Sequence, residues 1–215
     1  MLKTILYYTS NRESPEFEKR IQDNILKVSG GIPIISISQK PIKFGKNICV
    51  GDVGTSGFNM FRQVQIGLLE THSQFVISAE ADCLYPPDYF QFTPKQVTVP
   101  YRDSNLYVMG NRRDYFWRKP EGATHAQIVG TGFYLRVLNK LFEGAPKWSV
   151  EEKNFPKERN GKNDVFDTIE YWKSENPVVQ IKTRLGMRHY THSERIPIYN
   201  LDYWRDSKQF RKTYV

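Results

Sequence analysis

Residues 75–90, FVISAEADCLYPPDYF, carry an apolar run that ends in two carboxylates, Glu80 and Asp82, one residue apart. Carboxylates at the end of a buried strand can hold a hard divalent cation such as Mg²⁺ or Mn²⁺, which in turn bridges substrate phosphates. Without a ligand, the same pair is a solvated strand end that helps to cap the next turn. Two histidines, His189 and His192, lie together in RLGMRHYTHS. A further carboxylate, Asp164, follows Asn163 just before an apolar-periodic stretch, where either residue suits a helix N-cap.

The elements around these residues are legible. Residues 2–8 form a short β-branched and aromatic run that reads as a buried strand. Ser14 and Pro15 then start a helix, with Phe17, Ile21, Ile25 and Val28 on one face and Gly30-Gly31 as its stop. Residues 32–38 are a second strand, so the chain opens as a strand–helix–strand unit with a parallel pair. A short strand at 48–50, a glycine-rich turn at 51–57, a helix over 58–70 and the strand at 75–79 follow. In such a sheet, ligands bind at the carboxyl ends of the strands, which is where Glu80 and Asp82 fall.

The second half is less regular. The pattern predicts a short helix from Pro86, strands at 97–100 and 105–110 around a turn, and a strand or turn at 130–135 leading into a helix to Phe142. It also predicts a polar loop at 151–163, a helix through Val165, Ile169 and Trp172, a strand at 178–181 and an aromatic, basic tail from Pro197. Gly130-Thr131-Gly132 would let a ligand approach the backbone closely. No linker divides the chain, so the expectation is one α/β domain over 1–215. Its sheet would be mixed but mostly parallel, flanked by helices, with a ligand-binding half at 1–93, an acceptor half at 94–196 and the tail at 197–215.

Composition narrows the class. No apolar run approaches the roughly 18–20 residues that span a bilayer. The N-terminus lacks a small-residue cleavage site, which argues against a secretory signal. Cys49 and Cys83 are too few for a disulfide scaffold, so a reducing, cytoplasmic setting is expected. The net charge of +8 calls for an anionic or phosphorylated partner.

Taken together, YYTSNRES at the first strand end, GDVGTSGFNMFRQVQIGLLE before the acidic strand, and SAEADCLYPPDYF resemble the nucleotide-sugar-dependent glycosyltransferases of the GT-A fold, a Rossmann-like arrangement, and especially the family 2-like enzymes. The resemblance covers roughly the first 90 residues well and the rest loosely. Family 2-like enzymes usually carry aspartates in the acidic motif, whereas this chain has Glu80-Ala81-Asp82. The resemblance implies a nucleotide-diphosphate sugar as donor, a UDP-sugar foremost, and a divalent cation, Mn²⁺ or Mg²⁺. Asp82 would be the metal ligand, joined by a late histidine, His189 in first place and His192 as the alternative. Thr9 and Asn11 would line the nucleoside pocket, with Asp52 or Gln39 on the base or ribose. Arg62 would reach the diphosphate or donor sugar, since its planar fork donates two hydrogen bonds at once. Asp164 would be the base that deprotonates the acceptor hydroxyl in an inverting transfer, with Glu151 and Glu152 as weaker substitutes.

The basic charge concentrates in two places. Arg102, Arg112, Arg113, Arg118 and Lys119 lie among Tyr101, Tyr107, Tyr115, Phe116 and Trp117, and residues 181–215 hold eight Lys or Arg against three Asp or Glu among further aromatics. Basic residues interleaved with aromatics can follow a phosphate backbone and stack bases, so DNA with hydroxymethylated bases is one acceptor that fits. Two other readings compete. A non-catalytic nucleic-acid-binding module explains the charge but not the acidic strand end. A sugar-phosphate nucleotidyltransferase shares the strand order, but needs a glycine-rich loop that Thr9-Ser10-Asn11-Arg12 lacks.

Overall fold

A computed structural model describes residues 2–120, 122–151, 164–183, 185 and 195–215. The first half follows the pattern read from sequence. Strand β1 (Lys3–Thr9) leads into helix α1 (Pro15–Val28), where the Ser14 side chain accepts from the Phe17 amide and Pro15 takes the first helical position. Strands β2 (Ile34–Ser38) and β3 (Lys46–Cys49) come next, followed by helix α2 (Gly57–Leu69), capped by Ser56, and strand β4 (Phe75–Glu80). β1 pairs parallel with both β2 and β4, and β2 pairs parallel with β3. The glutamate and aspartate of the acidic motif therefore leave the sheet on the same edge as the ends of β1 and β2.

The remaining elements are β5 (Cys83–Leu84), α3 (Pro87–Gln91), β6 (Tyr101–Asp103), β7 (Leu106–Gly110), β8 (Phe116–Lys119), β9 (Gln127–Gly130), α4 (Thr131–Leu141), β10 (Glu170–Trp172), β11 (Val178–Lys182), β12 (Asn200–Leu201), β13 (Arg205–Asp206) and α5 (Ser207–Tyr214). The central sheet has seven strands in the order β10-β6-β9-β4-β1-β2-β3, and within it β9 runs antiparallel to both β4 and β6. A second sheet of four strands has the order β5-β11-β7-β8. The fold is thus a mixed, mostly parallel α/β sheet flanked by helices.

Alternation along β1 divides the core in two, because successive side chains leave opposite faces of a strand. Leu6 and Tyr8 pack with Phe58, Phe61, Val64 and Leu68 of α2 and with Tyr134 and Leu138 of α4. Ile5 and Tyr7 pack with Phe17, Ile21 and Ile25 of α1, and that core continues through the second sheet to Trp204 and Phe210.

Three details differ from the sequence reading. The strand expected at 97–100 is a turn; β6 starts at Tyr101 and joins the central sheet, while β7 joins the second sheet beside β11, so the two are not a hairpin. Residues 164–172 are not a helix, since 170–172 form β10 and extend the sheet beside β6. The tail, read from sequence only as aromatic and basic, contains a hairpin and α5, whose Phe210 is buried against Phe116. Among the described residues, no helix is long and apolar enough to cross a membrane.

Candidate active site

The ends of β1 and β2 form a hydrogen-bonded cradle. Thr9 turns its hydroxyl down to Glu18 (2.7 Å), and its Oγ1 accepts from the Asn11 amide (2.9 Å). Asn11 sits at φ +52°, a left-handed conformation that Asn tolerates better than most residues. There its Oδ1 accepts from the amides of Gln39 (2.9 Å) and Lys40 (2.8 Å), which ties the two strand ends together. Gln39 in turn holds the glycine-rich turn. Its Nε2 donates to Gly54 O (2.8 Å), and its Oε1 accepts from the Val53 amide (3.3 Å). Ser10, Asn11, Arg12, Gln39, Lys40, Asp52 and Thr55 line a cavity of about 230 Å³ above this cradle.

Three of the residues expected at a nucleoside, Asn11, Gln39 and Asp52, thus meet at one cavity, and Thr9 supports it from below. Gln39 and Asn11 spend their polar atoms on the walls. Of the two alternatives for base or ribose contact, Asp52 is the one with carboxylate capacity left. Its Oδ1 accepts a single long bond from the Gly54 amide (3.3 Å).

One strand along is the acidic end of β4. Glu80 Oε1 accepts from the Tyr8 hydroxyl (3.0 Å), and burial, then the charge of Asp82, pushes its carboxyl up to about 7 while Lys182 pulls the other way. Asp82 Oδ2 accepts from Gln180 Nε2 (3.0 Å) and lies 3.8 Å from Lys182 Nζ, both on β11. Its Oδ1 is 3.2 Å from Cys83 Sγ. Tyr85 clamps the turn: its hydroxyl accepts from the Glu80 amide (3.0 Å) and donates to His125 O (2.8 Å). The described residues fit the implied Mg²⁺ or Mn²⁺ poorly. Both ions favour oxygen ligands, but Asp82 is already engaged by an amide and an ammonium. The donors gathered at Glu80 are instead the sulfur of Cys83 and a ring nitrogen of His125. His189 and His192 lie outside the described residues.

Two further expected groups are held by partners of their own. The Arg62 guanidinium stacks on Phe142, 3.7 Å from the ring centroid, and donates to Lys147 O (3.0 Å), Pro146 O (2.8 Å) and Gln65 Oε1 (2.8 Å). Its donors face the 146–147 carbonyls rather than the strand ends, so it ties α2 to that segment. Asp164 is gripped by Arg102: one oxygen pairs with Nη1, and the other accepts from Nη2 (2.9 Å) and from the Phe166 amide (3.2 Å). Arg102 also donates to Gln127 Oε1 (3.1 Å). Because β6 runs in the same direction as β4, this pair lies at the sheet edge that carries Glu80. Glu151 is exposed, and Glu152 lies outside the described residues.

Gly130-Thr131-Gly132 lies away from this edge. β9 runs antiparallel to β4, so Gly130 pairs with Phe75 at the opposite end of the strand from Glu80. The glycine is needed there because a Cβ would stand 2.0 Å from Val97 O. Half of the aromatics expected to stack on bases are core: Tyr101, Phe116, Trp117, Trp204 and Phe210 are buried, whereas Tyr199 and Tyr203 are exposed.

No family model matches the chain, and no curated protein matches it. Solved structures similar to it include a glycosyltransferase involved in the glycosylation of the major capsid of PBCV-1, at 10% identity over 84% of this chain and 93% of that one, with a TM-score of 0.46. Staphylococcus aureus TarS 1–349 in complex with UDP is 11% identical over 84% of this chain and 60% of that one, with a TM-score of 0.49. The glycosyltransferase GlyE of Streptococcus pneumoniae TIGR4 is 9% identical over 80% of this chain and 45% of that one, with a TM-score of 0.47. This chain therefore spans well under two thirds of the TarS and GlyE chains.

Cys83 and His125 are side chains that the sequence reading did not place beside the acidic motif. Cys83 follows the acidic motif directly, which is a signal of sorts. His125 comes 42 positions later and is brought in only by the reversal of β9.

Proposed function

We propose that this chain is a glycosyltransferase that takes a sugar from a nucleotide-diphosphate donor, a UDP-sugar in the first instance, bound at the carboxyl edge of β1, β2 and β4. The observation that carries the proposal is the convergence of Asn11, Gln39 and Asp52 on one cavity beside the acidic end of β4. At about 230 Å³ the cavity is smaller than the roughly 300–1,000 Å³ of drug-sized ligand sites, so it suits the nucleoside end alone. Asp52 accepts from the base or the ribose hydroxyls. Arg12 and Lys40, on the cavity wall, and Lys182, beside Asp82, offset the diphosphate charge. The anomeric carbon then lies toward β4 and β6, where Asp164 takes the proton of the acceptor hydroxyl in an inverting transfer and Arg102 positions it.

For the acceptor we propose a hydroxyl on a polyanion, with DNA carrying hydroxymethylated bases among the candidates. The support is narrower than the sequence suggested: exposed Arg112, Arg113 and Arg118, with Arg113 over Tyr115 (5.8 Å) and Arg195 over Trp117 (4.6 Å).

The test is ligand-linked stability followed by transfer. UDP and UDP-sugars should raise the melting temperature, as any ligand bound only by the folded state must, and Asp52→Ala should abolish the rise. Donor hydrolysis across nucleotide sugars, with modified and unmodified duplexes as acceptors, then identifies the substrates. Asp164→Asn should keep the UDP-induced rise and lose transfer. No stabilisation by any nucleoside diphosphate would overturn the reading, and retained transfer in Asp164→Asn would remove the base assignment.

A further inference from the structure

We propose that Glu80, Cys83 and His125 form a binding site for a borderline transition-metal cation of the zinc class. A carboxylate oxygen of Glu80, Cys83 Sγ and an imidazole nitrogen of His125 all lie within 4.8 Å of one another. Tetrahedral zinc, with bonds of about 2.0–2.3 Å, places neighbouring donors roughly 3.3–3.8 Å apart, so a closure of about 1 Å by side-chain rotation completes the set.

The surroundings favour a cation over simple packing. Cys83 and His125 are buried, and the Cys83 thiol lies against carboxylates, donating to Asp82 Oδ1 (3.2 Å). No hydrogen bond reaches either ring nitrogen of His125 among the described residues, although its backbone oxygen is held by Tyr85. Gln180 Oε1, on the strand paired with Cys83, is a buried acceptor with no partner among the described residues. Asp82 Oδ1, 3.2 Å from the sulfur, stands next to the fourth position. The backbone holds the three donors from separate directions: Glu80 ends β4, Cys83 opens β5, and Tyr85 bonds both the Glu80 amide and the His125 carbonyl.

The donor types set the selectivity. Sulfur and nitrogen favour Zn²⁺ or Co²⁺ and disfavour Mg²⁺, which prefers oxygen. On binding, the Cys83 S–H proton leaves to solvent and a sulfur–metal bond forms, while His125 donates a nitrogen lone pair and keeps its proton on the other ring nitrogen. Three protein ligands with a fourth position left over resemble a working zinc site rather than a closed structural one. The site stands on these side chains and not on the nucleotide-sugar reading. A chain that binds zinc but no UDP would keep this inference and lose that one.

Cobalt spectroscopy on the chelator-stripped full chain tests it. One equivalent of Co²⁺ should bind with a thiolate-to-cobalt charge-transfer band in the near ultraviolet, in the natural chain and equally in Cys49→Ser. Zn²⁺ should displace the cobalt, and a large excess of Mg²⁺ should not. Cys83→Ser should erase the band, and His125→Gln should weaken binding by at least about 100-fold, the upper end of what loss of an outer-shell partner costs. Substituting a buried residue can unfold the chain, so the spectrum of the natural sequence decides by itself. Cobalt bound without the thiolate band, or no saturable binding, overturns the proposal.

Discussion

Arg102 and Asp164 hold each other at the end of β6. Their side chains are 5% and 18% exposed and share a two-armed ion pair, so removing one partner leaves the other buried and uncompensated. Asp164→Ala should lower stability by about 3–5 kcal/mol in urea unfolding, whereas pairing Arg102→Met with Asp164→Leu should recover much of the loss. A cost below about 1 kcal/mol would mean that water reaches the guanidinium. Asp103, next along β6, gives a pH signature. Its carboxyl is raised, chiefly by burial, and its Oδ2 has no partner among the described residues. A raised acid holds its proton longer in the folded chain. Stability from it is complete below the unfolded value of about 3.9 and is lost as pH rises through the folded value. Melting temperature should therefore fall over that rise in the natural chain and stay flatter in Asp103→Asn. Parallel curves would show that the group does not titrate differently on folding. None of this was readable from sequence, because Arg102 meets Asp164 across 62 positions of chain through a strand pairing that no local pattern announces.

At the scale of elements, the legible part was the part with repeating local signals. The Ser14-Pro15 start, the 3.6-residue spacing of Phe17, Ile21 and Ile25, and the β-branched runs at β1, β2 and β4 each state their own structure, and all four elements form as read. The short strands β6, β8 and β10 have three or four residues each, too few to show a period, so their sheet membership comes from partners rather than composition. The cavity residues were legible for the same reason as the strands that end in them, while Arg62 was not: its partners, Phe142 and the 146–147 carbonyls, lie about 80 residues away. β9 supplies the test at this scale. Gly130 has an ordinary φ of −63°, so its requirement is space and not backbone freedom. Gly130→Ala should destabilise the chain by roughly 1–3 kcal/mol through its clash with Val97 O, yet leave nucleotide-induced stabilisation intact, since it lies at the far edge of the sheet. Loss of nucleotide response at unchanged stability would contradict that placement.

Across the whole molecule, the tail is structural. Trp204 donates to Pro177 O (2.6 Å) and packs edge-on against Phe210 and Tyr214, and Phe210 packs on Phe116, so 197–215 closes the second sheet. Trp204→Ala should cost about 3–5 kcal/mol, measured by chemical unfolding, with β7, β8 and β11 losing hydrogen-exchange protection before β1 and β2. Uniform loss of protection would show instead that the two sheets unfold as one unit. Sequence composition suggested a basic, aromatic surface for a polyanion; in the fold Trp204 and Phe210 face inward, while Tyr199 and Tyr203 stay exposed with Arg205, Lys208 and Lys212.

The turn that follows β3 has one more effect. Thr55 lines the cavity at the ends of β1 and β2, and α2 begins two residues later with no acidic residue in its first turn, whereas the first turn of α1 carries Glu16 and Glu18. The aligned peptide dipoles of a helix amount to roughly half a positive charge at its amino end. Part of the field at the cavity rim therefore belongs to the backbone of α2. It does not titrate and no side-chain substitution removes it, so a residual attraction for anions should survive neutralisation of both Arg12 and Lys40.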